Sequence, residues 1–258
     1  MLARAGPSGK KIFGIEQLQK LQFDTGETRS PRALSELLLS SVGGGLSAAI
    51  EVLEEVAWEQ AGATRFAKVA AELQSKGVRA VAWDMDRTLV HAHSHGRMTK
   101  VGLAEFARCI SPDFLGLAAA LHAQGIHQAV ATHSDRAEHT DAMPPETHLL
   151  GEDLASAVLR ASPLEKKVVD SFLLIGYNPG VRAAQGDAEA ARPANQAKKR
   201  HVRQIAAHFQ VAIEAILLLD DLHDNCTNTE GCLVVRVDAA HGFRLFDIEQ
   251  ASIGSARL

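Results

Sequence analysis

Cysteine is scarce in this chain. The three present, Cys109, Cys226 and Cys232, are too few and too scattered for a disulfide framework. None stands in a Cys-x-x-Cys pair, so neither a structural zinc site nor a thioredoxin-like motif is indicated. Aromatic residues make up 5%, which leaves little material for base-stacking platforms. Positive charge is not in excess either. A formal net charge of -4 gives no electrostatic case for nucleic acid or an anionic membrane as a partner. No apolar run approaches the ~20 residues of a membrane span, and Met1 to Ser8 lacks the apolar segment of a secretory signal. These absences predict a soluble protein of a reducing compartment, the cytoplasm. Arg4, Lys10 and Lys11, all ahead of the first acid at Glu16, leave an organellar transit peptide as the alternative address.

Apolar material is plentiful, at 46% of 258 residues. That supports a sizeable core in one large domain, or in one domain with an appendage. Residues 1–76 read as the appendage. Gly6-Pro7, Gly14, Gly26 and Ser30-Pro31 interrupt a loose arm in which only Ile15 to Phe23 suits a short helix. Ala33 to Val42 is apolar until Gly43-Gly44-Gly45 stops it, and Ser47 suits the N-cap of a helix running to Gln60. Phe66, Val69, Ala70 and Leu73 then repeat at helical spacing, with Gly77 at the place of a C-terminal stop. This helical extension carries no chemistry, and its expected role is packing on the main domain or on a protein partner.

Over 77–258 the pattern changes to short apolar runs separated by helical stretches. The runs are Val78 to Trp83, Ile126 to Ala131, Phe172 to Ile175, Ile216 to Leu219 and Leu233 to Val237. Ser111-Pro112-Asp113 opens one helix in the N-cap, N1 manner, and Lys198 to Gln210 forms another with Val202, Ile205, Ala206 and Phe209 inward. Residues 178–196, rich in Gly, Pro, Ala and charge, read as a mobile loop or small lid. Buried strands alternating with helices predict an α/β fold, a Rossmann-like parallel sheet flanked by helices.

Polar residues collect just past the strand ends: Asp84 and Asp86, Thr132 with Ser134 as a reserve hydroxyl, then Asp220 and Asp221. Open α/β sheets take their ligands there. Several carboxylates brought to one edge repel each other and are costly to bury without a partner. Their oxygen ligands favour a hard divalent cation, Mg²⁺. A carboxylate, a hydroxyl, a lysine and Mg²⁺ together suit phosphoryl transfer, which proceeds mainly by positioning and charge neutralisation.

The arrangement resembles the haloacid dehalogenase (HAD) superfamily of phosphohydrolases. Asp84-Met85-Asp86-Arg87-Thr88 is similar to its Asp-x-Asp-x-Thr motif, Thr132 to its second motif, and Lys198, opening a Lys-x-x-His segment with His201, to its third. Leu217-Leu218-Leu219-Asp220-Asp221 with downstream Asn225 resembles the fourth. Lys199 is the runner-up lysine, and Lys166-Lys167 a more distant competitor. The resemblance spans Val78 to Val237 and implies roles residue by residue. Asp84 would be the nucleophile that forms an aspartyl-phosphate, and Asp86 the general acid and base. Thr132 and Lys198 would hold the phosphoryl oxygens. Asp84, the carbonyl of Asp86, and Asp221 would bind Mg²⁺, with Asp220 binding directly or through water and Asp224 and Asn225 behind them. An acid at position 86 favours a phosphatase or phosphomutase within the superfamily.

The implied activity is phosphomonoester hydrolysis. The alternatives are a phosphotransferase or phosphomutase on the same scaffold, or a non-catalytic binding protein. The interval from Thr132 to Lys198 is short for a large cap, so the resemblance implies an open site for a phosphorylated small molecule or a phosphoprotein. His91, His93 and His95 alternate after the first motif. They read as a polar flap over the site, with a transition-metal site on one strand face as the competing reading. Cys226 reads as a small packing residue.

Overall fold

The run Ala80–Trp83 has no polar residue and no alternation, and in the computed structural model it is the central strand β1, buried at every position. Such a run is what a strand covered on both faces requires. The structure describes residues 62–192, 195–227 and 229–251. The expected arm and the segments Ile15 to Phe23, Ala33 to Val42 and Ser47 to Gln60 lie outside the described residues. The chain divides into two compact units, Met1–Thr64 and Arg65–Leu258, and the second contains the sheet.

β1 pairs in parallel with β3 (His127–Thr132) on one side and β6 (Ile216–Asp220) on the other. β5 (Phe172–Gly176) and β7 (Leu233–Arg236) extend it outward, giving a five-stranded parallel sheet of order β5-β3-β1-β6-β7. The chain moves from β1 through β3 to β5, then returns to the far side of β1 with β6 and β7. That reversal opens a crevice between the carboxyl ends of β1 and β6, where open α/β sheets bind ligands. Separately, β2 (Arg97–Thr99) and β4 (His148–Leu150) form a small antiparallel ribbon.

Because strand side chains alternate, each central strand feeds two cores. Val81, Trp83, Leu217 and Leu219 enter the larger one with Phe114, Leu117, Leu154, Val158 and Ile248, from the helices Pro112–Ala123, Gly151–Ala161 and Leu245–Gln250. Ala80, Ala82, Ile216 and Leu218 enter the smaller one with Val202 and Ile205 of the Lys199–Phe209 helix. On that face β1 and the middle of β3 present methyl groups to the helix, from Ala80, Ala82 and Ala129, so it can lie close to the sheet, while His127 at the start of β3 stacks on Phe209 at the helix end, ring centroids 4.4 Å apart.

Two expected stretches fold in an informative way. The helix ending at residue 75 places Val69, Ala70 and Leu73 in the larger core, so it belongs to the unit that begins at Arg65 although the sequence pattern draws a boundary at 77. Gly116 accommodates it, since a Cβ there would lie 2.1 Å from the ring of Phe66. Within 178–196, Pro179–Ala184 is a helix whose N-cap, Asn178, accepts from the amides of Gly180 and Val181. Pro at N1 and Asn at the cap supply a helix start that the Gly and Ala content obscures.

Trp83 fixes the end of β1. Its ring meets Phe114 and Phe243 edge-on at 4.9 and 5.1 Å, and its Nε1 donates to Gln128 at 3.2 Å. Gln128 in turn donates to the carbonyl of Ala118 at 2.9 Å. Trp83→Ala is expected to destabilise the protein by about 3–5 kcal/mol, read as a lowered urea midpoint. A loss under about 1 kcal/mol would show that this cluster does not anchor the strand.

Candidate functional site

The ladder of β1 continues one residue past its last named position, for the amide of Asp84 donates to the carbonyl of Leu219 at 2.9 Å. The next turn closes on itself: Leu89 N donates to Asp84 O at 3.1 Å, and Val90 N to Met85 O at 3.0 Å. Arg87 takes a left-handed conformation at φ 60 to allow it, which is uncommon for a side-chain-bearing residue. β6 ends on Asp220 itself. The adjacent strand ends thus bring Asp84, Asp220 and Asp221 together, with one carboxylate oxygen from each within 4.8 Å of the others. Among the described residues this is the grouping of side chains that could hold a metal ion.

Lys198 lies inside that group with no exposed surface. Its Nζ donates to Asp84 Oδ1 at 2.6 Å and to the carbonyl of Ala131, and stands 3.7 Å from Asp220 Oδ2. Burial alone pulls the ammonium's pKa down, but Asp84 and Asp220 more than offset this and hold it above its ordinary value. Burial pushes the carboxyl of Asp84 well up; Lys198 counters part of that shift and Asp220 adds to it. Asp221 is also raised, by burial and then by Asp220. One ammonium among three carboxylates leaves negative charge that a cation would neutralise. Lys199 stands one residue on, part-exposed at the first position of the helix. Lys166 and Lys167 pair instead with Asp170 and Glu165 on the surface.

Asp220 and Asp86 are each oriented by neighbours. Asn225 donates to both oxygens of Asp220 at 3.0 Å, and Leu222 N to Oδ1 at 2.9 Å. Asp224 is exposed on the same short helix, His223–Thr227. Asp86 accepts on Oδ2 from His93 Nδ1 at 2.7 Å, Ser94 N at 3.0 Å and Ser94 Oγ at 2.8 Å. Cys226 donates to the carbonyl of Asp220 at 3.5 Å, and burial pushes its thiol up to about 12, as suits an inert packing residue.

Thr132 closes β3 beside this group. Its carbonyl accepts from Tyr177 N at 3.1 Å and His201 Nε2 at 2.9 Å, and its Oγ1 from Ser134 N at 3.3 Å. The hydroxyl of Ser134 is engaged in holding loops, donating to Gly96 O and accepting from Gly151 N at 2.7 Å. Asp135 is buried and meets Arg182 through both oxygens at 2.7 Å. Burial opposes its ionisation, but Arg182 and backbone amides hold its pKa below the usual range. That pair ties the Pro179–Ala184 helix to the end of β3.

The alternating histidines do not share a strand face. A turn with His95 at φ 55 and Gly96 at φ 76 folds the segment back, stacking the rings of His93 and His95 at 4.3 Å over the cleft. His91 is exposed, and its backbone amide bonds to Cys109 O. The cleft holds about 340 Å³ and is lined by Asp84, Asp86, Thr132 and Asp221 together with Arg87, Glu138 and Asn178. Glu138 and Asn178 had no motif to mark them; Asn178 comes from 46 residues beyond Thr132 in sequence, and only the fold brings it there.

Among the described residues no helix is long and apolar enough to cross a membrane. Comparison with known proteins returns no matching family model, no matching curated protein and no matching solved structure.

His201 and His133 are held neutral. Burial, then the charge of Lys198, lowers His201 well below 6.5 and His133 to about 4. Unfolded, both take up protons near 6.5, so between there and about pH 4 the unfolded state binds more protons and stability falls as pH falls. His201→Gln is expected to remove about one proton's share, ~1.4 kcal/mol per pH unit, from that slope in denaturation curves. An unchanged slope would mean that His201 is not buried neutral.

Proposed function

We propose that this chain is a Mg²⁺-dependent phosphomonoester hydrolase of the haloacid dehalogenase type, working through an aspartyl-phosphate on Asp84. The observation that carries the reading is the buried ion pair of Lys198 with Asp84, set beside Asp220 and Asp221 where the strand order reverses. A lysine and three carboxylates at such a point form a site for a phosphate ester and a cation together.

The donor set fits the metal. Asp84, Asp220 and Asp221 offer only carboxylate oxygens, close enough to share one ion, which matches the preference of Mg²⁺. They would hold it with the carbonyl of Asp86. When bound, the ion supplies neutralisation of the phosphoryl oxygens.

The protein's own residues account for the rest. Asp84 attacks phosphorus, so an Asp84–phosphorus bond forms as the ester's bridging bond breaks. Asp86 gives a proton to the departing oxygen. It then takes one from the water that attacks the phosphoryl group, and the Asp84–phosphorus bond breaks to free phosphate. Lys198 and the Thr132 hydroxyl hold the phosphoryl oxygens. Asn225 keeps Asp220 aimed, and His201 fixes the strand end that bears Thr132.

The substrate class follows from access. The Gly151–Ala161 helix buries Leu154, Val158 and Leu159 in the core, so that part of the interval from Thr132 to Lys198 is committed to packing. The open cleft suits a phosphorylated small molecule or a phosphoprotein side chain.

The protein should release phosphate from an aryl phosphate with Mg²⁺, and stop when EDTA is added. Asp84→Asn should lower the rate by about 10³-fold or more, and Asp86→Asn by at least about 10²-fold. Turnover by Asp84→Asn equal to the wild type would sink the nucleophile assignment.

A further inference from the structure

We propose that His93 is a positioning residue that aims Asp86. With Ser94 it grips one oxygen of the carboxyl, leaving the other for the proton exchanged with the leaving group. This rests on the reading of Asp86 as the acid and base of phosphoryl transfer.

The grip is one-sided. Oδ2 of Asp86 accepts from His93 Nδ1 at 2.7 Å, Ser94 N at 3.0 Å and Ser94 Oγ at 2.8 Å. Oδ1 is shielded from solvent and has no partner. A surface ion pair between a histidine and a carboxylate is ordinary and contributes little, but it leaves both oxygens hydrated. Three donors on one oxygen and none on its buried twin form a different pattern. A buried acceptor without a partner calls for a reason, and Asp86 lines the cleft that a phosphate ester would enter.

The grip is also braced. The rings of His93 and His95 stack at 4.3 Å. Gly96 N donates to Ser94 Oγ at 3.0 Å, and Gly96 O accepts from Ser134, which also accepts from Gly151 N. The loop that holds Asp86 is therefore fastened to the ends of both β3 and β4. His93 and His95 line the same cleft as Asp84.

The chemistry explains the device. A carboxyl on a short side chain can turn about its last bond and exchange its oxygens, losing its aim. Fixing Oδ2 stops that rotation and confines the transferable proton to Oδ1. As the Asp84–phosphorus bond forms and the bridging bond breaks, that proton passes to the leaving oxygen; the attacking water later restores it. A general acid must stand within hydrogen-bond reach of its target, and small losses of aim are costly.

A poor leaving group needs that proton and a good one does not, so the test compares propyl phosphate with para-nitrophenyl phosphate. The quantity read is kcat/KM, which covers steps through departure of the alcohol or phenol. His93→Ala should lower kcat/KM for the alkyl ester by about 10²-fold, against less than about 10-fold for the aryl ester. His93→Asn, whose amide N–H stands on the branch that bears Nδ1, should recover most of the alkyl loss. Equal losses on both esters, no loss on either, or no recovery by His93→Asn would each overturn the assignment while leaving the phosphatase reading intact. A wild-type protein that hydrolyses neither ester would overturn the phosphatase reading, and this assignment with it.

Discussion

Placing a lysine ammonium out of reach of water costs several kcal/mol unless charge and hydrogen bonds meet it there. Lys198 is placed so, and much of the architecture can be traced to how it is met. Asp84 and Asp220 must come from adjacent strands, which the reversal of chain direction beside β1 provides. The carbonyl of Ala131 must project from the strand on the other side of β1. The helix that follows Lys198 must lie close to the sheet, which the alanines of β1 and β3 permit. Cations at a helix start oppose its dipole, so this lysine is retained at a cost that the carboxylates offset.

Around that pair the protein divides its polar groups by task. Asn225, His201, Ser134 and the Asp135–Arg182 pair spend their hydrogen bonds on other protein groups, fixing strand ends and loops. The groups turned to the cleft are less completely satisfied: three carboxylates crowd together, and one oxygen of Asp86 is buried alone. A carboxylate cluster and an unpaired Asp86 oxygen at the cleft are what is expected where a ligand finishes the site, although the supporting His201 also keeps one ring nitrogen, Nδ1, buried without a partner.

Four strands of the main sheet were legible as continuous apolar runs and β3 by its Ala129-Val130-Ala131 centre, and the Ser111-Pro112 helix because its cap and its Gly125 stop are local signals. Asp84, Thr132, Lys198 and Asp220 were legible because each sits at the end of such an element. The ribbon of β2 and β4 was not, since strands of three part-exposed residues show no period. Nor was the helix at Pro179, hidden in a composition that favours loops. The Gly151–Ala161 helix had a signal, with Leu154, Ala155, Val158 and Leu159 on one face, but no Ser, Thr, Asp or Asn at its cap. Ser134 does line the cleft, but its bonds to Gly96 and Gly151 could not be read, because a hydroxyl's partners cannot be seen in one dimension. His91, His93 and His95 looked equivalent until a left-handed turn separated their tasks.

The central claim is that the phosphoryl group passes through Asp84. Its most direct test is mass spectrometry of peptides from protein quenched in acid during turnover of an aryl phosphate. The account predicts one added phosphoryl group on the peptide bearing Asp84, lost on treatment with hydroxylamine. Continued turnover with that peptide unmodified, or with the group on another residue, would contradict it.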